Sequence, residues 1–300
     1  MSNATTGATI GVDDTSDEER YAYGNRAKKD KPSCINFSLI LKKIRSSFLD
    51  TFSAEKEEHY RWKNDAINLY CYIFQTIYYD IVLRNIRQYV KQMREFKDKK
   101  IKEEFETLDY YEKRDVQSRK VGVEMLHPVL FIAGFKNVEE ILESIIRRME
   151  EIDSMEEIRE RSMHTKKHLS TIYECAFPIS DVARDLRIIC YEFKFTMIHF
   201  QLPIIIGMFL EFVIIDFLKE LEKIKQEQST NKRTIFLDDI KICKERFFPL
   251  FDEIVIDEDV YTQCMFSVPI AKTPVNFVEK INSFPIPQLK KRRNVPKFIS

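Results

Sequence analysis

The stretch from Leu202 to Leu218 constrains the fold of this chain more than any other, because it is apolar on nearly every side. Only Pro203, Gly207, Glu211 and Asp216 interrupt a run of Ile, Leu, Phe, Met and Val. A helix that lies on a protein surface carries a polar stripe, and this run has none. Leaving roughly a dozen such side chains half exposed would forgo on the order of 10 kcal/mol at about 25 cal/mol per Å², so other elements must cover them.

The composition of the chain alone allows two ways of covering this apolar helix. A lipid bilayer is the first, but the run is at the lower limit of length for a transmembrane helix and contains two carboxylates, which are costly in lipid. The second is burial by helices from the N-terminal half, which would make the chain monomeric.

Shorter helices are predicted on both sides of this long helix. The first spans Phe177 to Ile189, where apolar residues recur on one helical face. The long helix begins near Pro203 and runs to Gln228, and the polar and basic sequence STNKRT that follows suits a loop. A third helix is predicted at LDDIKICKERF.

These segments resemble the histone-fold core of nuclear factor Y, specifically of its C-type histone-fold member, whose complex binds the CCAAT box. The similar pieces are FPISDVARDLRI, MIHFQLPIIIGMFLEFVIIDFL and NKRTIFLDDI with FFPLFDEIV after it. The order of elements also fits the alpha subunit of negative cofactor two and the histone-fold subunits of DNA polymerase epsilon and chromatin accessibility complexes.

The resemblance implies an obligate heterodimer, because in this family the central helix crosses that of a B-type histone-fold partner chain. It also implies a nuclear subunit of a DNA-bound, transcription-regulatory complex with no chemistry of its own. The side chains that it places in the dimer core are Leu202, Ile205, Phe209, Phe212, Val213, Phe217 and Leu221.

The family also implies roles for the loop after the long helix. Lys232 and Arg233 match the basic pair that contacts DNA phosphates, and Arg233 matches an arginine that pairs with the aspartate at Asp239. The first helix departs from the family, since Asp181 and Asp185 stand where basic residues face DNA. The long helix lacks the tryptophan of the CCAAT-binding relative, which favours the polymerase and chromatin relatives as the alternative.

The chain is predicted to be all-α, and its composition separates the histone-fold segment from three others. Residues 1–35 are polar and charged and are expected to be disordered. Residues 36–170 are predicted to be helical, because neither glycine nor proline occurs from 33 to 121. They form either an extension packed on the histone-fold domain, residues 171–260, or a separate domain. The tail, residues 261–300, contains a basic cluster typical of nuclear import signals, namely Lys290, Lys291, Arg292 and Arg293.

Charge and motifs argue against several classes of function. The 48 basic residues balance 48 acidic ones, so any binding to nucleic acid must come from local patches. The six cysteines are scattered without a CxxC pair, which favours reduced thiols used in packing. No catalytic motif is evident, His164 and His168 have no second ligand pair, and neither a metal nor a cofactor is expected. A helical scaffold with a degenerate histone fold that does not bind DNA is the remaining alternative.

Overall fold

The computed structural model of the chain describes residues 21–23, 34–52, 60–154, 173–228, 234–247 and 279. Helices dominate these residues, and the strands among them are two or three residues long. The expected all-α class is therefore confirmed at the level of helical content.

The N-terminal half is built around one helical run from Asn64 to Glu103, as the absence of glycine and proline predicts. Its buried side chains recur every three or four residues, which is the pattern of a helix with one covered face. The elements of this half are β1 (Tyr21–Tyr23), α1 (Phe37–Phe52), β2 (Arg61–Trp62), α2 (Asn64–Gln75), a π-helix (Thr76–Leu83), α3 (Arg84–Glu103), a 3-10 turn (Phe105–Thr107), α4 (Tyr110–Gln117), β3 (Lys120–Val121), a second 3-10 turn (Val123–Met125), α5 (Leu126–Ile132) and α6 (Val138–Ser154).

Two consecutive tyrosines of the π-helix reach partners in different parts of the chain. Tyr78 is fully buried, and its hydroxyl donates to Asp185 Oδ2 at 2.9 Å. The hydroxyl of Tyr79 accepts a hydrogen bond from the backbone N–H of Ile35 at 3.2 Å. The π-helix is therefore linked by hydrogen bonds both to the segment that precedes α1 and to the C-terminal half.

The C-terminal half contains the helices that the sequence predicts. They are α7 (Ile179–Glu192), α8 (Leu202–Glu227) and α9 (Leu237–Phe247), with β4 (Met197–His199) and β5 (Thr234–Ile235) between them. Pro203 lies in the first turn of α8, where its missing N–H has no intrahelical partner to lose. The predicted positions of the three helices are confirmed, with ends that differ by a few residues at most.

The short strands join the two halves reciprocally. β2, which precedes the long helical run of the N-terminal half, pairs in parallel with β5, which follows α8. β3, which follows α4, pairs in parallel with β4, which precedes α8. In each half, one strand therefore precedes the long helix and one follows it. The strand before the long helix of one half pairs with the strand after the long helix of the other half.

Helix α8 is covered by its own chain. Phe209 packs edge-on against Phe135, with ring centroids 5.1 Å apart, and Phe217 packs against Phe74 at 5.3 Å. Six of the seven residues predicted to form a dimer core are at most 3% exposed, and Phe212 is half-buried. Among the coverings that the sequence left open, the described residues show burial of α8 by the N-terminal helices.

The sequence left open whether the N-terminal region packs on the C-terminal domain or forms a separate domain. One hydrophobic cluster runs from Ile35 to Cys243 and includes side chains of both halves, so the N-terminal helices pack on the C-terminal three-helix unit. The predicted disordered tail also differs in part. Tyr21–Tyr23 pair antiparallel with Met197–His199, which makes β4 the central strand of a three-stranded sheet.

Candidate nucleic-acid interface

The first basic site lies where β2 meets β5. Arg61 pairs with Thr234 in the strand register, and the backbone N–H of Lys63 donates to Ile235 O at 3.1 Å. Both basic side chains are exposed. The chain reaches β5 directly from Lys232 and Arg233, which lie outside the described residues, so their predicted phosphate contacts stay a prediction.

A second basic site lies at the other strand pair. Lys120 stands opposite Met197, and the carbonyl oxygen of Arg119 accepts hydrogen bonds from the N–H groups of Thr196 and Met197 at 3.1 and 3.2 Å. Lys194, exposed and with a φ of 64°, ends the turn that leads from α7 into this strand. Basic residues thus accompany both places where the halves exchange strands.

Sequence reasoning missed Arg61, Lys63, Arg119 and Lys120. The resemblance extends only from Phe177 onward, and two-residue strands produce no detectable alternation.

Asp239 has a partner that the sequence did not suggest. Lys225 Nζ lies 3.0 Å from Asp239 Oδ2, and both side chains are buried. The same oxygen accepts the N–H of Phe236 at 2.8 Å, which caps the start of α9. Lys225 is therefore one of the links between the long helix and α9, whereas Arg233, the predicted clamp, lies outside the described residues.

Asp185 does not face solvent as its place in the first helix suggested. It is 4% exposed and accepts the Tyr78 hydroxyl, and burial together with the charge of Asp185 raises the pKa of Tyr78 well above the ordinary value. Asp181 is partly exposed and pairs with Arg184 at 3.2 Å. One of the two carboxylates expected to oppose DNA is thus turned into the core.

Glu211, a carboxylate within the apolar run, connects α8 to two other parts of the chain. Its Oε1 lies 2.9 Å from Arg148 Nη1 of α6, and its Oε2 accepts the backbone N–H of Ala176 at 2.7 Å. Arg148 also donates to the carbonyl of Glu174, a residue with a φ of 48°. The charge that interrupts the apolar pattern therefore fixes α6 and the turn before α7 onto α8.

Other expectations are not tested by the described residues. The import cluster from Lys290 to Arg293 and the histidines His164 and His168 lie outside them. Across the described ranges, no group of three or more His, Cys, Asp or Glu side chains is placed to hold a metal ion. Among the described helices, none combines the length and hydropathy that crossing a bilayer requires.

The chain matches no protein-family model, no curated protein and no solved structure. Its function must therefore be argued from its own geometry.

Proposed function

We propose that this chain is a pair of histone-fold units in one polypeptide, and that it contributes to a DNA-bound regulatory complex in the nucleus. The observation that carries the proposal is the reciprocal strand exchange, β2 with β5 and β3 with β4. Each half runs short helix, strand, long helix, strand, short helix, which is the order that the C-terminal resemblance implies. The N-terminal half then takes the place of the B-type partner.

Departures from that order lie in the N-terminal half. Its long helical run contains the π-helix, α4 is inserted before β3, and α6 follows α5 as an extra helix that packs on α8. These additions cover surface that a separate chain would otherwise cover. The full-length chain should therefore be a monomer by size-exclusion chromatography with light scattering, and it should ignore an added B-type partner.

DNA binding is proposed at the two strand pairs. Arg61 stands opposite Thr234 in the strand register, and Lys232 and Arg233 directly precede Thr234 in the sequence. Backbone phosphates are the expected ligand, because lysine and arginine on loops contact phosphate without reading sequence. The balanced total charge makes such local sites the source of any affinity.

The test measures binding of the full-length chain to a duplex of about 30 base pairs at several salt concentrations. Arg61→Ala with Lys63→Ala should weaken binding and reduce the magnitude of the slope of log K against log salt by about 2, because each lost phosphate contact releases about one fewer counterion. Lys91→Ala with Lys99→Ala is the matched control, since both lysines are exposed and each sits in an i,i+4 ion pair on α3. Equal slopes for the two double variants would remove the strand-pair site from DNA binding.

Nuclear localisation is part of the same proposal and has its own test. Alanine at Lys290, Lys291, Arg292 and Arg293 should leave a fluorescent fusion of the chain in the cytoplasm, whereas the unaltered fusion should accumulate in the nucleus. Cytoplasmic retention of both fusions would contradict the nuclear assignment. It would leave the pairing of the halves unaffected.

A second candidate, a scaffold that does not bind DNA, is favoured by the pairing of charges on α3. Lys91, Arg94 and Lys99 each have a carboxylate four residues on within 4 Å, so three of the eight basic side chains of α3 are paired within the helix. Membership of a polymerase epsilon or chromatin complex is the third reading. Salt-independent or undetectable duplex binding would favour the scaffold, whereas salt-linked binding without sequence preference would favour the polymerase and chromatin relatives.

A further inference from the structure

A cleft opens between the beginning of α1 and the beginning of α2, with a volume of about 480 Å³. Leu41 and Ile67 line it, and Leu39 lies at its edge with 50% of its surface exposed, the largest exposed fraction of any described aliphatic side chain. Leu39, Leu41 and Ile67 therefore give the cleft an apolar lining that is partly open to solvent.

The cleft is also cationic. Lys42 and Arg45 line it, and none of the described residues that line it is acidic. Arg45 is held in place, because its Nη2 donates to Tyr60 O at 2.8 Å and its guanidinium lies 5.6 Å from the centroid of the Trp62 ring. Two cations around an apolar surface are complementary to a peptide that combines carboxylates with aliphatic side chains.

The end of α9 lies at the same end of the molecule. A line of ring contacts connects Trp62, beneath Arg45, to the last residue of α9: Trp62 with Tyr70 at 5.9 Å, Tyr70 with Phe217 at 6.3 Å, and Phe217 with Phe247 at 5.7 Å. Ile67, which lines the cleft, precedes Tyr70 by one turn of α2.

The sequence that follows α9 has the complementary composition. Residues 251–260 read FDEIVIDEDV, with five carboxylates, five apolar residues and no basic residue. Only residues 248–250 separate this segment from α9, and from Phe247 to its far end the chain could span about 40 Å when extended. It can therefore reach the cleft without rearrangement of the described core.

We propose that the cleft between α1 and α2 is the docking site of the chain's own segment 251–260. The carboxylates of the segment lie against Lys42 and Arg45, and its aliphatic side chains cover Leu39. Docking in cis needs little intrinsic affinity, because the short connection to α9 keeps the local concentration of the segment in the millimolar range. The proposal is independent of DNA binding.

The test uses the full-length chain and a fluorescein-labelled peptide of sequence FDEIVIDEDV. In one variant the five carboxylates of the segment are neutralised by Asp252→Asn, Glu253→Gln, Asp257→Asn, Glu258→Gln and Asp259→Asn. Fluorescence anisotropy should show that the peptide binds this variant at least tenfold more tightly than the unaltered chain, whose own segment occupies the cleft. Emission of Trp62, the single tryptophan, should differ between the two proteins.

A matched pair of charge reversals identifies the cleft. Added to the neutralised variant, Lys42→Glu should weaken peptide binding at least tenfold, whereas Lys43→Glu, the same change one residue on, should leave it within twofold, because Lys43 does not line the cleft. Equal affinity for the neutralised variant and the unaltered chain would overturn the proposal and assign the cleft to an acidic partner protein. Failure of the peptide to bind either protein, with unchanged circular dichroism, would overturn it as well.

Discussion

The ring of Phe74 in α2 meets the ring of Phe217 in α8 edge-on, with centroids 5.3 Å apart and planes at 87°. Tyr70, one turn earlier in α2, also contacts Phe217. All three side chains are fully buried, although they belong to long helices of different halves. The contact therefore lies where two separate chains would meet if the halves were independent proteins.

Replacing Phe217 with Ala should lower the free energy of unfolding of the whole chain by about 3–5 kcal/mol, since the change removes a buried aromatic ring and leaves a cavity. Urea denaturation followed by circular dichroism should show one transition with a lower midpoint. Phe96→Ala is the control, because Phe96 is 40% exposed and should cost much less. Loss of signal from only part of the helices would contradict the shared core.

Separating the halves should leave them able to associate. Residues 1–160 and 161–300, co-expressed as two chains, should co-purify in a one-to-one complex, because the strand pairs and the α2–α8 contact do not depend on the connection. Expressed alone, the C-terminal piece should aggregate, since α8 would expose its apolar sides. A soluble, monomeric C-terminal piece would show that this half does not need the N-terminal half.

The sequence predicted the C-terminal half well for a definite reason. Helices α7, α8 and α9 are long enough for apolar periodicity to be read, and loop residues separate them. Burial of α8 by the N-terminal helices stayed one of several alternatives, because an apolar pattern shows that a helix must be buried but not which residues bury it. The strand exchange was also out of reach, since the register of Arg61 with Thr234 joins positions far apart in sequence.

The partners of buried charges could not be predicted from the sequence either. Glu211 was recognised as an exception in an apolar run, yet its partner Arg148 stands in another predicted region, among similar arginines. Asp185 was expected at the surface because the family resemblance places it where basic residues face DNA. Asp185 turns inward because the buried Tyr78 hydroxyl donates a hydrogen bond to it. The sequence of the helix alone does not show that partner.

Arg148→Ala should destabilise the chain by about 3 kcal/mol, because it leaves the buried Glu211 carboxylate without its cation. The adjacent Arg147→Ala should stay within about 0.5 kcal/mol, as Arg147 is exposed. Chemical denaturation of both variants compares the two positions directly. The double variant Arg148→Met with Glu211→Leu should recover much of the loss, and equal destabilisation of the double and single variants would contradict an ion-pair tie.

Thiol reactivity should divide the described cysteines by depth. Cys34 is exposed, whereas burial raises the pKa of Cys190 to about 12 and that of Cys243 to about 12. At pH 8, a maleimide should modify Cys34 within minutes and leave Cys190 and Cys243 unmodified until denaturant is added. Peptide mass spectrometry after timed quenching measures the rates. Rapid modification of Cys190 in the folded chain would show that the α7 side of the core opens readily.

Glu192 should titrate below the ordinary range, because Arg87 Nε donates to its Oε2 at 3.0 Å and a second guanidinium nitrogen reaches its other oxygen. This pairing lowers the pKa of Glu192, so the favourable contact is fully present above the ordinary glutamate pKa of about 4.3 and is lost as the pH falls through the lower folded value. Carboxyl NMR should report that lower pKa, and Arg87→Ala should return it toward about 4.3. An unchanged titration in the variant would mean that the exposed pair does not persist in solution.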